Sequence, residues 1–110
     1  MRYLFLITTA LDGEPYRESE DTIADWIAEV DARGREADGD RLRLIEEAKT
    51  VRLRGGRLHV TDGPFAETKE WVAGYDVIDC DSMDDAVDLA SRHPMARFGR
   101  VEVRELWPLD

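Results

Sequence analysis

Arg2-Tyr3-Leu4-Phe5-Leu6-Ile7-Thr8 decides the architecture of this chain. In an extended strand successive side chains point to opposite faces, so Tyr3, Phe5 and Ile7 share one side and Leu4 and Leu6 the other. Both sides are apolar, and a strand of that kind must be covered twice. The rest of the sequence offers two convincing helices, enough for one face of a sheet. Cover for the second face has to come from elsewhere, and another copy of the chain is the simplest source.

Downstream, Thr22 and Asp25 stand three apart as a capping box, and Ile23, Trp26, Ile27 and Val30 follow at i, i+3, i+4 and i+7. They predict an amphipathic helix from Asp21 to Arg33, stopped at Gly34. The stretch 35–48 is less legible, with one short strand expected around Leu42 to Ile45. Thr50 to Arg54 and Arg57 to Thr61 alternate around Gly55-Gly56, the pattern of a two-residue hairpin that sets Val51 opposite Val60 and Leu53 opposite Leu58. That register also sets Arg54 against Arg57, a like-charge cost that leaves a longer loop open. Val72 to Cys80 reads as a strand. Ser82 with Asp85 caps a second helix bearing Met83, Ala86, Val87 and Ala90, Pro94 stops it, and a last strand runs from Arg100 to Trp107. The order predicts an α+β sandwich, an antiparallel sheet with both helices on one face, formed by residues 1–110 as one domain.

Composition narrows the function classes. Hydrophobic residues make up 43% of the chain, so burial can offset the entropy of ordering it. A formal charge of −10 opposes phosphate neutralisation, so no direct nucleic-acid partner is expected. Cys80 is the single cysteine, which excludes an internal disulfide and fits a reducing cytoplasm. Neither a metal-ligand spacing nor a glycine-rich phosphate loop is present, so neither metal nor cofactor is expected. No apolar run is long enough to span a membrane.

The block Thr61-Asp62-Gly63-Pro64-Phe65-Ala66-Glu67-Thr68-Lys69-Glu70 resembles the hallmark of the DGPF-type, YCII-related family. Gly74-Tyr75-Asp76-Val77-Ile78, the capped second helix, Arg92-His93-Pro94-Met95-Ala96-Arg97-Phe98-Gly99 and Val101-Glu102-Val103-Arg104 follow in the order that the family shows. The resemblance implies a ferredoxin-like subunit that pairs into a dimeric α+β barrel. It also implies a histidine–aspartate dyad based on the first helix, but no histidine stands between Asp21 and Arg33, so that chemistry does not carry over. Similar domains accompany or are fused to extracytoplasmic-function sigma factors, which makes such a factor a candidate partner.

Three residues stand out as candidates for chemistry. Asp62 opens the Gly63-Pro64 turn, where its carboxylate acts either as a cap for backbone N–H groups or as a rigidly held group at a cleft mouth, able to act as base or bind a cation. His93 ends the second helix, where it is either a structural imidazole or a general base. Asp76 shares parity with Ile78, which puts a carboxylate on an apolar face. Compensation by Arg97, Arg100 or Arg104, or a bulge at Gly74, would account for it. Phe65, Arg97 and Phe98 are the candidate ligand-binding residues, bordering a cleft between the Asp62–Phe65 loop and the His93–Phe98 segment. His59, on the hairpin face shared with Arg52, reads as a solvated or interface side chain. The leading expectation is a homodimeric module that binds a small molecule or regulates another protein. Its rival is a cofactor-free lyase or isomerase of small aromatic or lactone-like compounds, using His93 or Asp62 for proton transfer.

Overall fold

A computed structural model describes residues 1–34, 37–63 and 69–109. Its strands are β1 (Arg2–Thr9), β2 (Ala37–Arg41), β3 (Lys49–Arg54), β4 (Arg57–Asp62), β5 (Val72–Asp79) and β6 (Gly99–Glu105). Its α-helices are α1 (Ile23–Ala32), α2 (Met83–Ser91) and the short α3 (Met95–Phe98). Four strands form an antiparallel sheet in the order β2-β5-β1-β6, and among the described residues β3 pairs only with β4. This α+β arrangement is compatible with a ferredoxin-like sandwich into which a hairpin has been inserted between β2 and β5.

The opening strand behaves as its alternation requires. Tyr3, Phe5 and Ile7 are buried together with Ile78 of β5, Trp26 and Val30 of α1, and Ala86, Leu89 and Ala90 of α2, so both long helices cover one face. Leu4 and Leu6 point to the other face and are half-buried. Opposite them the register places Val77 and Tyr75 of β5 and Arg104 and Glu102 of β6.

Several local expectations change. Thr22 precedes α1 but makes no side-chain cap. The Asp21 carboxylate accepts the Ile23 N–H at 3.0 Å instead, so the carboxylate one residue earlier serves the helix start. Of the predicted stripe only Trp26 and Val30 are buried; Ile23 and Ile27 are exposed, because the helix meets the sheet over a narrow line. In α2 the cap forms as expected, with Ser82 Oγ accepting the Asp85 N–H at 3.1 Å, but Leu89 joins Ala86 and Ala90 in the core while Met83 and Val87 face out. The short strand lies at Ala37–Arg41 rather than Leu42 to Ile45, where a 3-10 turn spans Ile45–Glu47. Its sequence, Ala-Asp-Gly-Asp-Arg, has almost no β-forming residues, and pairing with β5 imposes the conformation.

The hairpin has the predicted register and a two-residue turn, with Gly55 and Gly56 at φ +54° and +76°, where only glycine sits without strain. Arg54 does face Arg57. No helix among the described residues is long and apolar enough to cross a membrane.

Candidate functional site

Asp76 lies between two buried positions of β5, Gly74 and Ile78, and its cross-strand neighbours are Phe5 in β1 and Gly39 in β2. The covered face is therefore its own face. The irregularity in the β1–β5 ladder falls between Ile7 and Thr8, whose partners are Gly74 and Val72. It leaves Ala73 unmatched, and Asp76 sits beyond it in regular register. Gly39 provides the room: a Cβ there would stand 2.6 Å from Asp76 Oδ1.

His93 reaches the same place from above. Past the end of α2 its N–H donates to the Ala90 carbonyl at 3.0 Å, and its own carbonyl accepts the Ala96 N–H at 3.0 Å, so Pro94 turns the chain around a fixed imidazole. The Met95 N–H donates to His93 Nδ1 at 3.0 Å. With Nδ1 occupied as an acceptor, a neutral ring carries its proton on Nε2. That nitrogen faces Asp76 Oδ2 at 3.8 Å, just beyond a direct hydrogen bond.

Trp26 holds the imidazole from the side. Its ring stands 4.6 Å from that of His93 at an interplanar angle of 67°, an edge-to-face contact. Trp26 Nε1 donates to the Leu89 carbonyl at 2.9 Å, and the Phe5 ring stands 6.4 Å from the Trp26 ring. One indole thus joins α1, α2 and the sheet around the polar pair.

Burial moves the two groups in opposite directions. Loss of water, helped by the negative charge of Asp40, pushes the Asp76 carboxyl up to about 6. Burial also pushes the His93 imidazole down to about 4, only partly offset by the negative charge of Asp21. Near neutrality the pair is an ionised carboxylate beside a neutral ring whose N–H points toward it. Two groups whose environments separate their affinities for a proton can act as acid and base.

The remaining candidates go elsewhere. Asp62 ends β4 in an exposed ion pair with Lys49 across the hairpin. Phe65, with the rest of 64–68, lies outside the described residues. Arg97 is bound by Glu14 at 2.8 Å and Glu20 at 3.0 Å, and its guanidinium carbon sits 5.0 Å from the centre of the Phe98 ring. Phe98 is buried, with the edge of Tyr16 against it at 5.2 Å. None of the three arginines considered for Asp76 makes an ion pair with it, because Arg97 is committed to those glutamates, Arg100 pairs with Glu70 at 3.0 Å, and Arg104 points to the opposite face of the sheet. His93 is the group that faces Asp76. Both residues carried separate signals in the sequence, but their meeting did not, since it depends on how the turn at Pro94 folds back over β5. In the sequence Trp26 reads either as core, from its place in the helical stripe, or as the lining of an apolar pocket; it is buried in the core and also borders the imidazole.

A separate apolar cleft of about 510 Å³ opens between α2 and β6, with Met83, Val87, Ala90, Arg100, Val101 and Val103 among its lining residues. It contains neither His93 nor Asp76. No group of three or more His, Cys, Asp or Glu side chains among the described residues could hold a metal ion.

The YCII-related domain matches residues 1–110. The chain belongs to the YCII-related family. An uncharacterised protein of Rhizobium meliloti (strain 1021) is 46% identical over 68 residues, which is 60% of this chain and 55% of that protein. The match thus spans little more than half the length of that relative. Within this YCII-related chain the polar pair is built from β5 and the turn after α2, not from α1.

Proposed function

We propose that this YCII-related protein is a homodimeric small-molecule-binding module whose ligand is held at the His93–Asp76 end of the sandwich. The juxtaposition of a buried imidazole N–H and a carboxylate, with no arginine between them, carries the reading. A ligand hydroxyl set against both would donate to the Asp76 carboxylate and accept from His93 Nε2–H. Pairing of two copies is supported by the open sheet face, where Leu4, Leu6, Tyr75 and Val77 are half-buried in the single chain. On that face β2 contributes Asp38 and Asp40, and β6 contributes Arg100 and Arg104 with Glu102 between them, a net positive edge. A two-fold axis along the strands would lay the acidic edge of one copy over the basic edge of the other. Cys80, the single cysteine of the chain, is buried, which is consistent with a reducing cytoplasm as the setting.

The opposite displacement of the two proton affinities favours one further reading, a cofactor-free lyase or isomerase in which Asp76 removes a proton and His93 Nε2–H steadies the charge that forms. A thermal-shift panel of small aromatic and lactone-like compounds tests both readings against the wild type, Asp76→Asn and His93→Gln. A ligand that stabilises the wild type and neither variant is expected; equal stabilisation of all three would remove the site. Loss of a carbon-bound proton from that ligand in deuterated water, followed by proton NMR, separates turnover from binding alone.

A further inference from the structure

The β3–β4 hairpin has two unlike faces. Val51, Leu53, Leu58 and Val60 share one of them, directly opposed in pairs, and are 64%, 63%, 66% and 56% exposed. Arg52, Arg54, Arg57 and His59 share the other. A two-stranded ribbon is at best marginally stable in water without something against it. This one forms a sheet of its own, and every residue of β4 is exposed. The radius of gyration, 16.1 Å, exceeds the roughly 13 Å of a compact domain of this length, as expected of an element that stands off the body.

We infer that the hairpin is an arm that closes on the body of a second copy of the chain, seating Val51, Leu53, Leu58 and Val60 there. Charge selects that occupant. Residues 49–62 carry Lys49, Arg52, Arg54 and Arg57 against Asp62, a net +3; the whole chain carries −10, so the remainder carries −13. An arm is thus attracted by another copy's body and repelled by another copy's arm. Size agrees as well: four such side chains leave roughly 400 Å² of apolar surface in water. Two arms and the surfaces they cover would bury roughly 1,600 Å², an ordinary specific interface. The inference deepens the homodimer reading above, since it rests on the pairing of two copies and assigns that pairing a second surface.

Sedimentation velocity on the full chain from nanomolar to micromolar concentration tests it, with Leu53→Asp/Leu58→Asp on the arm and Leu6→Arg on the sheet face. A wild-type dimer is expected, weakened at least 100-fold by the arm variant while the near-ultraviolet dichroism of the core is retained. An arm variant as dimeric as the wild type overturns the arm and leaves face-to-face sheets standing. Dissociation by the arm variant but not by Leu6→Arg supports the arm and removes the sheet pairing. A monomeric wild type, with its arm free or seated on a sigma factor or another protein, overturns the proposal.

Discussion

Replacing Asp76 by Asn removes a carboxylate from the covered layer, and the consequence for stability depends on pH. Between the ordinary value of 3.8 and the folded value of about 6, the folded chain holds a proton that the unfolded chain has released, so stability falls as pH rises through that window. The displacement corresponds to a cost of up to about 3 kcal/mol once the group is ionised. His93 works in reverse: between about 4 and the ordinary 6.5, the unfolded chain binds a proton that the folded chain refuses. Stability therefore rises with pH there, also by up to about 3 kcal/mol. In the wild type the two effects oppose each other. Asp76→Asn abolishes the first, so its stability relative to the wild type should grow between pH 4 and pH 7 by up to about 3 kcal/mol, or about 12 °C in Tm for a chain of this size. His93→Gln should give a difference of the opposite slope, with its advantage at acid pH. Thermal melts of the three proteins by circular dichroism at half-unit steps from pH 4 to pH 8 measure both differences. If the Asp76→Asn difference is the same at every pH, the carboxyl titrates as an ordinary exposed acid and the account of the site fails.

Further outcomes follow from individual contacts. Asp40→Asn should lower the midpoint of the Asp76 carboxyl in an NMR titration, by less than burial raises it, because Asp40 is the second of the two causes. Trp26→Phe removes one of the two donors to the Leu89 carbonyl, which keeps the Arg92 N–H at 3.2 Å, and should cost about 1 kcal/mol in urea unfolding, with the His93 ring signals broadened. Gly39→Ala should destabilise by about 2 kcal/mol or more, since its methyl group meets Asp76 Oδ1 and the adjoining backbone. Ser82→Ala should cost about 1 kcal/mol through the lost cap of α2, whereas Asp62→Ala, which breaks an exposed pair, should change unfolding by less than about 1 kcal/mol.

Alternation and capping made much of the fold legible. Tyr3, Phe5 and Ile7 on one side and Leu4 and Leu6 on the other required a two-faced central strand, and Ser82 marked where α2 begins. Gly55-Gly56 defined the hairpin because few other pairs tolerate that turn. β2 was misplaced because Asp38, Gly39 and Asp40 carry no strand signal of their own; a neighbouring strand organises them. Parity identified Asp76 as anomalous, but sequence could not show what answered the anomaly. Arginine side chains are long enough to reach it, yet each is committed elsewhere or directed away, and the shorter imidazole arrives through a proline turn 17 residues later.

The hairpin leaves the body through a narrow neck. Gly63 N–H donates to the Ala48 carbonyl at 2.7 Å, and Thr50 Oγ1 donates to the Gly63 carbonyl at 2.8 Å, so the chain departs and returns at one point. Paired residues can be added to or taken from both limbs without changing which way any side chain points, and the sandwich beneath need not repack. Such a joint separates two histories within a single gene: the interior must keep its fit, while the protruding limb is free to vary in reach and adhesiveness.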